Sequence, residues 1–135
     1  MEKYESQQQQ VLRPADAIFP VISNFALYTP VLKDKVEQWE ATEDRCSFKL
    51  KGFNIALQMI EKEPGRHVKI VPDCSLPGDF AFWIQLKQVA PADTRIRLVL
   101  HAEMNMMIKM MIGGKLQKGL DQVAQALAEG LNRNL

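Results

Sequence analysis

The chain has 135 residues, 47% of them hydrophobic, which suits a single domain over 1–135 that buries roughly two-thirds of the surface its unfolded form exposes. Its 17 Lys+Arg against 16 Asp+Glu leave a net charge of +1 spread along the chain, so the concentrated positive footprint of a nucleic-acid binder is absent. With two cysteines, Cys46 and Cys74, in unrelated segments and two histidines, the residues fall short of a clustered zinc site, and neither a metal nor a cofactor is expected.

Met1 to Ser6, followed by four glutamines, lacks the apolar core of a signal peptide. No window approaches the roughly 20 apolar residues of a membrane span. The expectation is a cytoplasmic chain without an integral membrane segment. Residues 3–12 read as one strand leading into Pro14, which disfavours helix at Arg13 and suits a first helical turn itself. Asp16 then adds negative charge where the helix macrodipole favours it. Ala17, Ile18, Val21, Ile22 and Phe25 recur at helical spacing, but Pro20 allows only a short or kinked helix. A broken pair of helices ending near Pro30 is predicted.

Period-two patterns follow. Trp39 and Ala41 share one face against Glu40, and Thr42-Glu43-Asp44 makes a turn. Cys46, Phe48 and Leu50 then alternate with Ser47, Lys49 and Lys51, and Gly52 breaks the run. Phe53, Ile55, Leu57 and Met59 form the next apolar face. Pro64-Gly65 separates it from a short strand, His67 to Val71. After a loop from Pro72 to Asp79, Phe80, Phe82, Ile84 and Leu86 alternate with polar residues. The last strand, Thr94 to Met104, sets Ile96, Leu98, Leu100 and Ala102 against Arg95, Arg97, His101 and Glu103. Short connections make these strands antiparallel neighbours.

A sheet with one apolar face needs a cover. Ile108, Ile112, Leu116, Leu120, Val123, Leu127 and Leu131 supply it, an apolar stripe at three- and four-residue steps. A helix over 106–131 would be roughly 38 Å long, enough to span the sheet. Gly113, Gly114 and Gly119 each cost it about 1 kcal/mol relative to alanine, which points to close backbone approach or a bend.

This order of strand, broken helix pair, six strands and long helix, with Val11, Pro14, Ala17, Phe19, Ile22 and Ser23 in the opening, resembles the START-like superfamily, also called SRPBCC. The resemblance spans essentially the whole chain. It implies an α+β helix-grip fold: a seven-stranded curved antiparallel sheet, two short N-terminal helices and a long C-terminal helix over a cavity. Members bind lipids, sterols, polyketides or plant hormones there, and a minority are enzymes, so the fold does not settle function.

The inward-facing residues Trp39, Phe48, Leu57, Met59, Phe82, Ile84, Leu98 and Leu100 are the candidate pocket wall. For any one of them plain core is the stronger account, and only as a set, beneath Met107, Met111 and Leu116, do they suggest a pocket. Met104, Met106, Met107, Met110 and Met111 are five of the seven methionines and fall at the strand-to-helix joint. There Met104, Met107 and Met111 are either an adaptive cavity mouth or gap filler in a core corner. Alternation points either Gln7 and Gln9 or Gln8 and Gln10 toward the helix. The family pattern, with Val11 inward, favours Gln7 and Gln9 as polar ligand contacts, against the slightly stronger alternative that edge twist leaves both pairs in solvent. His101, opposite the apolar set, is expected in solvent, and so is His67. GxSxG, HExxH, Walker and dinucleotide patterns are all missing. Three functions stay open: a carrier or sensor of a hydrophobic small molecule, a polyketide cyclase/dehydrase-like enzyme that works by positioning, and a protein-interaction module using the outer sheet face or Trp83.

Overall fold

The computed structural model describes residues 2–50, 52–73, 79–103 and 106–134, with the side chains of 50, 108, 111–113 and 134 left aside. The elements run β1 (Glu2–Glu5), β2 (Gln9–Val11), α1 (Ala15–Ile22), a 3-10 turn (Phe25–Tyr28), α2 (Thr29–Leu32), β3 (Glu37–Ala41), β4 (Arg45–Leu50), β5 (Phe53–Glu63), β6 (His67–Pro72), β7 (Asp79–Ala90), β8 (Asp93–Glu103) and α3 (Met106–Asn134). One antiparallel sheet takes the order β1-β8-β7-β6-β5-β4-β3, with β2 also paired to β8. The long α3 is gripped by it, so the chain has the helix-grip fold.

The first strand departs from a single run over 3–12. It breaks after Glu5 and resumes at Gln9, and both halves pair with β8, so eight strands fill seven positions. Ser6 mends the gap: its N–H donates to the Leu98 carbonyl at 2.9 Å, and its hydroxyl accepts from the Leu98 N–H at 2.9 Å. Pro20 is the sixth residue of α1, and its missing N–H leaves room for little more than one further turn. Helical backbone then resumes as far as Leu32, slightly beyond the expected end near Pro30. Among the described residues no single helix is long and apolar enough to cross a membrane. The stretch Ala15–Ile22 with Phe25–Leu32 is apolar enough as a pair, but it bends by 96° and buries Ile18, Ile22, Phe25 and Tyr28 in the core.

Among the described side chains of α3 the buried stripe is Leu120, Ala124, Leu127, Ala128 and Leu131, while Val123, expected in it, is 47% exposed, and the side chains of Ile108 and Ile112 lie outside the described set. Alanine at 124 and 128 holds the helix close to the sheet where a larger residue would hold it off. The glycines also read differently. A Cβ at Gly114 or Gly119 would meet nothing within 4 Å, whereas one at Gly130 would lie 2.6 Å from Val31 Cγ2. Close approach is therefore required at the α2–α3 crossing rather than at Gly114 or Gly119, and Gly113 lies outside the described side chains.

Polar groups tie α3 to the free edge of the sheet. Lys109 Nζ donates to Glu2 at 2.8 Å, Gln117 Nε2 to the Glu5 carbonyl at 2.8 Å, and the Gln7 N–H to Asp121 at 2.8 Å. Asn132 accepts from the Leu12 N–H at 2.8 Å and donates to the Gln10 carbonyl at 3.0 Å. An edge strand otherwise presents unpaired backbone groups to any passing chain, and here the helix covers them.

Candidate functional site: a half-buried aromatic trough

Burial along the concave face changes with position. On β8, Ile96 and Leu98 are fully buried, whereas Leu100, the next residue on the same face, is only half-buried. Its neighbours repeat the pattern. Phe82 opposite Leu100, Tyr4 on the other side of it, Leu57, and Phe48 with Trp39 are all partly exposed while packed against the core. Toward α1 the concave face is solid, built from Val11, Ile18, Ile22, Val68, Ile84, Ile96 and Leu98. At Leu100, Phe82, Leu57, Phe48 and Trp39 the face is partly exposed, an apolar trough interspersed with the buried side chains of Cys46, Met59, Ile70 and Ala102.

Local backbone chemistry sets the trough's far wall. Between Glu37 and Glu40 the register of β3 against β4 shifts, and Gln38 adopts a left-handed φ of 55°. Beside that bulge, alternation from Ala41 turns Trp39 to the face of Phe48, their ring centroids 6.0 Å apart. The indole Nε1 donates to Thr29 Oγ1 at 2.9 Å, fixing the ring against α2.

The groups proposed from the sequence separate into sets. Trp39, Phe48, Leu57, Phe82 and Leu100 are each partly exposed and packed against the core. Met59, Ile84 and Leu98 sit deeper, at 5%, 2% and 0% exposure, as members of the packed core. Gln9 shares the face of Val11 and is half-buried beside α3, whereas Gln7 has an exposed side chain and engages the helix through its backbone N–H. Met107 is 67% exposed. Met104 and the Met111 side chain, like Cys74, lie outside the described residues.

Tyr4 was not singled out, although its alternation with Lys3 and Glu5 carried the signal. Its phenol brings a donor and acceptor to the trough's edge. The Glu2–Lys109 pair stands at the same end: the lysine ammonium, by hydrogen bond and charge, holds the Glu2 carboxyl below its usual range, and Glu2 in turn raises the Lys109 ammonium. At the trough's floor burial pushes the Cys46 thiol up to about 12, which makes it an inert apolar contact. Burial likewise raises the Tyr28 phenol, whose hydroxyl donates to the Ile22 carbonyl.

His101 is a correction. Its ring packs 4.6 Å from Trp83 on the outer face, Lys69 Nζ stands 5.1 Å from the same indole, and its Nε2 is buried with no hydrogen-bond partner among the described residues. Trp83 supplies the cover that alternation alone does not reveal. His67 is partly buried, with Nε2 3.0 Å from Glu61. The described residues contain no group of three or more His, Cys, Asp or Glu able to hold a metal.

No protein-family model and no curated protein matches the chain. Solved structures do. Norcoclaurine synthase from Thalictrum flavum, in complex with dopamine and hydroxybenzaldehyde, is 13% identical with a TM-score of 0.79 over 99% of this chain and 88% of that one. The protein XoxI from Bacillus cereus is 12% identical with a TM-score of 0.73, covering 97% and 96%. A protein from Mesorhizobium loti is 13% identical with a TM-score of 0.73, covering 99% of both chains. Such likeness establishes the fold.

Proposed function

We propose that the protein binds a hydrophobic small molecule, as a carrier or sensor, in the trough between the concave sheet face and α3. The observation that carries this reading is the step from buried Leu98 to half-buried Leu100, Phe82, Phe48 and Trp39 on one continuous apolar face. Folding gains from burying such side chains at about 25 cal/mol per Å². A set left partly wet beneath a long helix forgoes that gain unless another apolar molecule completes it. Tyr4, Lys109 and Gln9 supply the few polar contacts that orient a ligand in a mostly apolar site.

A thermal-shift screen with fatty acids, sterols, flavonoids and aromatic polyketides tests the proposal, beside native mass spectrometry of protein purified from its own host. A ligand at 100 times its dissociation constant adds about 2.7 kcal/mol of stability. A stoichiometric apolar adduct, or a raised melting temperature, is the expected result. If every compound leaves the melting temperature unchanged and no adduct is found, the reading fails.

A second reading, an enzyme of the cyclase or dehydrase kind that acts by positioning, is favoured by one comparison: a structural neighbour is a synthase solved with two aromatic small molecules. Turnover of a polyketide-like substrate, measured on the adduct-free protein, distinguishes it from simple binding.

A further inference from the structure

The first half of α3 carries a surface that the trough does not explain. Met106, Met107 and Met110 are 78%, 67% and 81% exposed, in a protein whose other exposed large hydrophobics are scattered singly. Met107, Met110, Gly114 and Lys118 follow at three- and four-residue steps, so they share one face of the helix. All four of these positions are exposed, and a Cβ at Gly114 would meet nothing within 4 Å. Charge is segregated along the same stretch. Residues 106–120 contain Lys109, Lys115 and Lys118 and no acid, a charge of +3 in a chain whose total is +1, so the remainder carries −2. Lys109 is paired with Glu2, whereas Lys115 and Lys118 are exposed and make no ion pair among the described residues.

We infer that this face is a docking surface for an anionic lipid bilayer. Flexible thioether side chains enter the headgroup boundary, and the lysines beside them reach up to lipid phosphates with their stems along the apolar surface. The charge pattern decides the partner. A second copy of the same face would bring Lys115 and Lys118 to their own counterparts with no acid to meet them, whereas an anionic membrane complements both. The inference does not depend on what occupies the trough, and the two fail separately.

Flotation with phosphatidylcholine vesicles, and with phosphatidylcholine mixed with phosphatidylglycerol, tests it on the full chain. Binding to the mixed vesicles that weakens as salt is raised is expected, with little binding to the neutral ones. Each lysine near such a surface is worth about fivefold in partition, so Lys115→Glu with Lys118→Glu should reduce binding by at least about 25-fold. Met107→Ser with Met110→Ser should do so too, although all four positions tolerate substitution by their exposure, which an unchanged circular-dichroism melt verifies. An environment-sensitive dye on Met110→Cys, in a Cys74→Ser background, should shift to the blue with anionic vesicles alone. Equal partition into both vesicle types, absence of binding, variants that bind like the parent, or an unshifted dye would each overturn the proposal, as would a melt showing that the variants lose binding only by unfolding.

Discussion

Backbone strain and close packing act at single residues, and their signs can be tested in opposite directions. Gln38 pays for its left-handed φ of 55° with the steric cost that non-glycine residues bear there, about 1–2 kcal/mol. Gln38→Gly should therefore be neutral or stabilising, and Gln38→Val destabilising, in urea melts. At the α2–α3 crossing, Gly130→Ala places a methyl 2.6 Å from a γ-carbon of Val31, whose branched side chain is stiff. It should destabilise by about 1–3 kcal/mol despite alanine's better helix propensity, with Val31→Ala restoring most of the loss. Gly114→Ala and Gly119→Ala face open space and should each stabilise by about 1 kcal/mol. The reverse order of these melts would refute the packing described at the crossing. Cys46 adds a pH effect. Burial raises its folded pKa to about 12 while an unfolded thiol ionises near 8.5, so the unfolded state gives up a proton first and stability falls as pH rises through that window. In a Cys74→Ser background, the thiol should resist iodoacetamide at pH 8, and the melting temperature should decline from about pH 9 upward. Rapid alkylation of the native state is the outcome that sinks this.

At the scale of elements, α3 is two different helices in one. Its second half is held by Leu120, Ala124, Leu127, Ala128 and Leu131 and by Asn132, which bridges the β2 edge through two hydrogen bonds. Its first half, with Met106, Met107 and Met110 exposed, has the Lys109–Glu2 pair and Gln117 as its described ties to the sheet edge. Asn132→Ala removes two solvent-accessible hydrogen bonds, to the Gln10 carbonyl and from the Leu12 N–H, and should cost about 1–2 kcal/mol. Glu2→Gln removes an exposed pair and should cost less, while increasing amide exchange over the first turns of the helix. The sign with pH follows the same way: Glu2's folded pKa is depressed, so the tie is complete above the ordinary carboxylate range and is lost as pH falls through the lower folded value. Exchange at residues 106–110 that stays constant on acidification would show the pair to be without effect.

For the whole molecule, the decisive contrast is between the solid and the open parts of one concave face. Leu98→Ala removes atoms from a fully buried site and should cost about 2–5 kcal/mol. Phe48→Ala removes a larger ring that is already partly wet, so it should cost less than the usual 3–5 kcal/mol for a buried phenylalanine and act chiefly on ligand affinity. If Phe48→Ala proves as costly as a core deletion and leaves ligand binding untouched, the trough is core and the binding proposal loses its footing.

Much of this architecture was legible in the chain because alternation and helical periodicity are direct consequences of a sheet with one dry face and a helix with one dry stripe. The strands, the turns at Thr42–Asp44 and Pro64-Gly65, the broken N-terminal helices and the long C-terminal helix all follow from those local rules, as does the shared face of Trp39 and Phe48. Local rules do not extend to contacts between distant segments. That Leu100 is half-buried while Leu98 is dry, that Val123 yields to Ala124, that Trp83 covers His101 and that Gly130 rather than Gly114 meets another helix depend on where a 29-residue helix crosses a curved sheet. Periodicity assigns a residue to a face, but its depth on that face is set by what the rest of the chain brings over it, and only the tertiary structure decides that.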